Sequence, residues 1–181
     1  MMLKIKDCWG TYEDYLNDFS TKYRSRAKIA RKKSNEIEKR ELNLNETKKW
    51  SVRINFLYQN VADNAPFNTF FLPKNHFYRL QESMKGNFRI FGYFLDDEMI
   101  GFYSLILNNE DIDTYFLGYD KDLQKEKQIY LNMLLDMVEF GINEKYTRII
   151  FGRPALEIKS TIGAEPFELF GLIKHTNSLI N

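Results

Sequence analysis

The stretch from Tyr146 to Pro166, YTRIIFGRPALEIKSTIGAEP, constrains the fold more than any other part of this chain. A β-branched run, Arg148 to Phe151, ends at Gly152. Pro154 then opens a short helix carrying Lys159, and Gly163 makes a second break. Glycine tolerates the left-handed turn that stops a strand, and proline is preorganised for a first helical position. A strand that passes at once into a helix sets groups at the carboxyl edge of a sheet, where open α/β sheets bind ligands. The rest of the chain reads as scaffold for that edge.

Upstream, the apolar residues from Tyr12 to Ala30 recur at helical steps from Thr11 to about Lys33, opened by a capping box of Thr11 and Asp14. Lys22, Arg24, Arg26, Lys28 and Arg31 crowd its second half. They read either as a solvated face or as a ridge that binds a polyphosphate or nucleic acid. Ser34 to Arg40 extends this helix or links it to the next, which Asn43 or Asn45 caps and whose apolar face runs from Trp50 to Val61. The pair predicts a basic N-terminal helical hairpin over residues 1–62. Pro73 predicts a third helix through Met84. His76, near its start, reads as a surface or capping residue rather than a base.

After Gly86 the hydrophobic period changes to two. Phe88 to Leu95 and Met99 to Leu107 flank the acidic turn Asp96-Asp97-Glu98, a hairpin signal, and Ile112 to Gly118 supplies a third strand. Residues 125–145 show one long apolar helical face, followed by the strand before Gly152 and a last strand from Phe167 to His175. Helices, a three-stranded antiparallel meander, a long helix and a strand parallel to its neighbour define an α+β class with a mixed sheet over residues 63–181.

Composition removes several alternatives. One cysteine, Cys8, excludes an internal disulfide framework, and beside Ile5 and Trp9 it reads as a buried or half-buried thiol. The longest apolar run, Ile100 to Leu107, is far shorter than the roughly 20 residues of a membrane span, so a cytoplasmic protein is expected. Glu110, Asp111 and Asp113 lack histidine partners and read as a solvated turn, so no metal site is assigned. No nucleotide-binding glycine loop and no Ser/His/Asp motif is present.

The strings GYFLDDEMIGFYSLI, TYFLGYD and FGRPALEIKSTIGAEP, in this order of elements, resemble the GNAT acyltransferase fold. The resemblance is closer to the carboxyl-terminal half of bacterial proteins with tandem GNAT-like domains, the Fem-type peptidoglycan aminoacyltransferases. DYLNDFSTKYRSRAKIARKK is similar to the helix that links the two domains there. The resemblance implies acyl or aminoacyl transfer to an amine, on a small molecule or a peptidoglycan precursor. It also implies a chain that is a fragment, or a reduced relative, without the first GNAT-like domain.

Lys159, before the Gly163-Ala164 turn, lies where Fem-type enzymes have a lysine assigned to the reacting acyl centre. An ammonium beside a developing oxyanion stabilises the transition state. The alternatives are an ion pair with Glu157 or Glu165, or a capped turn. Arg153, Tyr115, Tyr119 and Glu157 are the candidates for holding substrate, against roles in anchoring and packing. Two donors are compatible with the resemblance, acyl-CoA and aminoacyl-tRNA. GNAT enzymes that use acetyl-CoA cradle its pyrophosphate on a glycine-rich loop before the long helix. Here that segment, Tyr119 to Lys127, reads YDKDLQKEK, with no glycine and three carboxylates. The competing reading is a non-catalytic GNAT-like binding module whose basic helix holds an anionic ligand or nucleic acid.

Overall fold

A computed structural model describes residues 1–64, 68 and 70–172. The strands are β1 (Met2–Lys4), β2 (Glu38–Glu41), β3 (Phe88–Leu95), β4 (Glu98–Asn108), β5 (Asp111–Tyr119) and β6 (Arg148–Ile150). The helices are α1 (Tyr12–Asn17), α2 (Thr21–Lys33), α3 (Leu44–Lys49), α4 (Ser51–Ala62), α5 (His76–Met84), α6 (Lys121–Lys127), α7 (Ile129–Asn143) and α8 (Leu156–Ser160). One six-stranded sheet runs β1-β6-β5-β4-β3-β2. Every neighbouring pair is antiparallel except β5 and β6, which the α6–α7 crossover makes parallel. The expected α+β class and mixed sheet are present.

The meander forms where its period-two pattern puts it. Asp96 and Asp97, at φ 49° and 64°, close the β3–β4 hairpin as a two-residue turn with both residues left-handed, the geometry that suits the twist of the strands. The same alternation sorts the core onto two faces. Tyr103 and Leu105 of β4 pack with α1, α2 and α7, whereas Phe102 and Ile106 pack with α4 and α5. The helices of residues 1–62 therefore do not form a hairpin of their own: Ala27 and Ala30 of α2 bury on one face, and Ile54, Leu57 and Tyr58 of α4 on the other. Both β1 and β2 within that range are strands of the common sheet.

Several predicted elements change for local reasons. The first helix breaks at Asp18 to Ser20, after the predicted Thr11–Asp14 capping box. Asn43 caps α3, and α4 begins anew after Trp50. The long helix starts at Ile129, because Gln128 is left-handed at φ 52° and separates α6 from α7. Residues 38–41 form β2, although Ser34 to Arg40 read as helix or linker. Their sequence EKRE has no apolar alternation, and charge pairs hold the strand: Glu41 with Arg89, and Arg40 with Glu38 and Glu46. A charged edge strand also resists pairing with other chains.

No ladder includes residues 167–172; the rest of the expected last strand, 173–175, lies outside the described residues. The sheet edge beside β6 is taken by β1, through Met2↔Ile150 and Lys4↔Arg148. The turn after β1 leaves Cys8 exposed, contrary to expectation, because Trp9 takes the buried place and donates its indole N–H to Asp18 at 3.1 Å. No helix among the described residues is long and apolar enough to cross a membrane.

Candidate functional site

β5 and β6 stay paired only from Asp111↔Arg148 to Asp113↔Ile150. β6 then ends, and Gly152 turns the chain away at φ 68°, while β5 continues to Tyr119. The parting strands leave a groove of about 850 Å³. One wall is β5, from Thr114 to Tyr119; the opposite wall is Phe151 to Ala155 with Lys159. Tyr58, Val61 and Ala62 of α4 line it from one face of the sheet, and Tyr130, Leu134 and Met137 of α7 from the other. The groove thus reaches both faces of the sheet.

Two local features shape the β5 wall. Between Tyr103↔Leu117 and Leu105↔Thr114, β5 carries one residue more than β4, a bulge at Tyr115 and Phe116. The buried Ser104 hydroxyl donates to the Phe116 carbonyl at 2.7 Å and holds that bulge in place. Further along, a Cβ on Gly118 would lie 2.4–2.5 Å from the backbone of Leu57 and Tyr58, so only glycine lets α4 approach β5 this closely.

The opposite wall is fastened by the first residues of the chain. Met2 and Glu165 exchange backbone hydrogen bonds of 2.9 and 2.8 Å, and Phe151 N–H donates to the Met1 carbonyl at 2.9 Å. The fully buried Tyr15 donates its hydroxyl to the Ile162 carbonyl, also at 2.9 Å.

Lys159 is 3% exposed and lines the groove. Its ammonium donates to the Phe151 carbonyl at 2.5 Å, and among the described residues it forms no ion pair with Glu157 or Glu165. Burial, which disfavours the charged form, pulls its pKa down from 10.5 to about 8. Arg153 lies exposed at the same wall, although α8 begins at Leu156 after a left-handed Ala155 rather than at Pro154. Tyr115 and Tyr119 line the β5 wall, and burial raises both phenol pKa values. Glu157 points elsewhere: it is exposed and is not part of the lining, because two positions along α8, about 200° of rotation, put it on the face opposite Lys159.

The basic helix is less free than its charges suggest. Arg31 faces α7 and pairs with Asp136 and, at 2.9 Å, with Glu139. Arg24 donates to the Phe19 carbonyl at 2.9 Å, and Lys28 lies 3.6 Å from Glu13. Lys22 and Arg26 are exposed. In the segment before the long helix, Asp120 accepts from Asp122 N–H at 3.0 Å and lies 3.5 Å from Arg53. The chain's own carboxylate therefore occupies the start of α6.

Residue-by-residue reading missed one feature at the groove. His76, the first residue of α5, is half-buried, and its Nε2 lies 3.0 Å from the Tyr115 hydroxyl. Asn75, not His76, stands at the cap position. Nothing in the sequence pairs these residues, which come from different elements.

Solved structures share this architecture. The chain has a GNAT-like fold. FemX aligns with a TM-score of 0.64 at 11% identity, over 87% of this chain and 54% of FemX, so the chain spans about half its length. A predicted acetyltransferase with acetyl-CoA from Clostridium acetobutylicum aligns with a TM-score of 0.60 at 7% identity, over 78% of this chain and 99% of that one. The aminoglycoside acetyltransferase meta-AAC0020, from an uncultured soil metagenomic sample and in complex with trehalose, aligns at 0.57 and 15% identity, over 80% and 98%. No protein-family model matches the sequence, and no curated protein matches it either.

Proposed function

We propose that this chain transfers an acyl or aminoacyl group to an amine within the groove between β5 and β6, with Lys159 stabilising the oxyanion. The observation that carries this reading is a groove open to both faces of the sheet with a buried ammonium in its wall. Donor and acceptor can then approach from opposite sides and meet between the strands. The amine nitrogen adds to the acyl carbonyl, a C–N bond forms, and negative charge collects on the carbonyl oxygen. Collapse breaks the bond to the carrier, which leaves with the electron pair, and the amine gives up a proton.

Lys159 suits the charged stage. With a pKa of about 8 it is mostly protonated at neutral pH, and an ammonium has three donors, of which Phe151 takes one. A fixed cation in a site shielded from water acts more strongly than one in solvent. Arg153, at the same wall, is suited to a phosphate or carboxylate of the substrate, and Tyr115 and Tyr119 to its polar groups.

Capping of α6 by Asp120 removes the backbone cradle that a pyrophosphate would use, which favours aminoacyl-tRNA or another acyl carrier over acyl-CoA. Lys22, Arg26 and Lys28, exposed on α2, form the surface proposed for an anionic carrier, whereas Arg31 is taken up by Asp136 and Glu139 of α7 and Arg24 by the Phe19 carbonyl. The acceptor class is a small-molecule or peptidoglycan-precursor amine, and the half-length match to FemX leaves room for a partner GNAT-like domain.

A second reading, a non-catalytic binding module, is favoured by the bond between Lys159 and Phe151, since a lysine already holding its own wall has a structural use. The two separate in an assay that follows transfer to a panel of amines by mass spectrometry, with acetyl-CoA and with aminoacyl-tRNA as donors. Transfer by the native protein and its loss in Lys159→Met supports the enzyme. Equal rates in both remove Lys159 from the mechanism, and binding of a donor without transfer supports the module.

A further inference from the structure

We propose that His76 and Tyr115 form the proton relay of this groove, with the imidazole as the base that receives the acceptor's proton. This deepens the acyl-transfer reading and rests on it. The two rings lie nearly parallel, 5.8 Å apart at 22°, with Nε2 3.0 Å from the phenol oxygen. Neither residue belongs to the fully buried core, so proton exchange with solvent stays open.

Placement gives the pair a direction. Tyr115 sits on the β5 bulge held by Ser104 and lines the groove, whereas His76 stands outside the lining, behind it at the start of α5. Bulges turn a side chain out of the regular alternation of a strand, and here the residue turned is the one that meets the imidazole. Aromatic rings surround the pair: Phe77 lies edge-on to His76 at 5.4 Å, and Phe88 and Phe116 edge-on to Tyr115 at 5.8 and 4.6 Å. Among the described residues no charged side chain shifts His76, and Tyr58 is the one titratable group that shifts Tyr115. Burial alone lowers the imidazole below its usual 6.5 and leaves it neutral at pH 7, the form that accepts a proton. The phenol O–H is a stronger acid than the N–H of a neutral imidazole, so it donates to Nε2 and Nδ1 carries the ring hydrogen.

The step balances without a further reactant. As the amine nitrogen bonds to the acyl carbon, its proton passes to the Tyr115 oxygen while the Tyr115 proton passes to Nε2. The phenol is thus regenerated and no phenolate accumulates. Imidazolium then returns the proton to solvent, and the carrier leaves with the electron pair of the broken bond and is protonated from water.

Two measurements test the relay with the intact chain. In nitrogen-edited spectra the two histidines, His76 and His175, are assigned with His175→Gln. His76 should be neutral at pH 7 with hydrogen on Nδ1, and Tyr115→Phe should shift it towards the Nε2–H form. An Nε2–H ring indifferent to Tyr115→Phe overturns the pairing. In kinetics, His76→Gln and Tyr115→Phe should each lower kcat/KM about 100-fold, mostly in kcat, and His76→Gln should abolish the acid limb of the pH profile. Transfer unchanged in both variants overturns the relay and leaves the acyl-transfer reading intact. Absence of transfer by the native protein from every donor overturns both.

Discussion

The burial of Lys159 can be measured without any substrate. An ammonium that titrates at 10.5 in the unfolded chain and at about 8 in the folded one makes the folded state bind fewer protons between those values. Stability therefore rises with pH through that window and is level on either side. Each pKa unit is worth about 1.4 kcal/mol, so below pH 8 the buried charge costs the fold roughly 3 kcal/mol that is recovered by pH 10.5.

Lys159→Met keeps most of the side-chain volume and removes the charge. It also leaves the Phe151 carbonyl without its partner, a loss of about 1–3 kcal/mol that does not depend on pH. Urea unfolding, followed by Trp9 and Trp50 fluorescence at steps from about pH 7 to 10, gives both stabilities by linear extrapolation. The native protein should gain about 2–3 kcal/mol on the variant across that range. Burial and the nearby Lys159 also hold the Met1 amine below its usual value, but that amine titrates in both proteins and largely cancels in the difference. A difference that stays flat from pH 7 to 10 would mean that the ammonium is solvated, and the buried cation in the groove wall would have to be abandoned.

Other perturbations test how the groove is built. Gly118→Ala puts a methyl group against the α4 backbone, so it should cost more than about 3 kcal/mol by thermal unfolding; a loss below about 0.5 kcal/mol would show that α4 does not pack this tightly on β5. Asp136→Ala on α7 strips Arg31 of α2, Lys39 of β2 and the Tyr93 hydroxyl of β3 of their shared acceptor. A loss of about 3 kcal/mol is expected in urea, and near-neutral behaviour would place those charges in water.

The sequence revealed most where a single element carries its own signal. The Asp96-Asp97 hairpin, the apolar face of α7 and the strand stopped by Gly152 each declare themselves within a dozen residues, and together they gave the mixed sheet. What stayed hidden depends on partners far along the chain. β1 is three residues long, and its role is visible only against β6. β2 is made of charged residues that matter through Asp136, Glu46 and Arg89. At the site, a strand end, a proline and a glycine frame Lys159, and the resemblance to Fem-type enzymes is what suggested its role. The pairing of His76 with Tyr115 was not, because a bulge is a property of two strands in register and leaves no mark in either alone.

The fastening of the groove wall by Met2 and Tyr15 governs the order in which this protein comes together. The Tyr15–Ile162 bond spans 147 residues of sequence, whereas the β3–β4 hairpin closes on its own turn. Contacts so distant carry the largest loop-closure entropy and reward the chain last. The meander and α7 can condense early, but the cleft is completed only when Met2 and Tyr15 meet Glu165 and Ile162, so unfolding that starts at β1 should dismantle the cleft before the core.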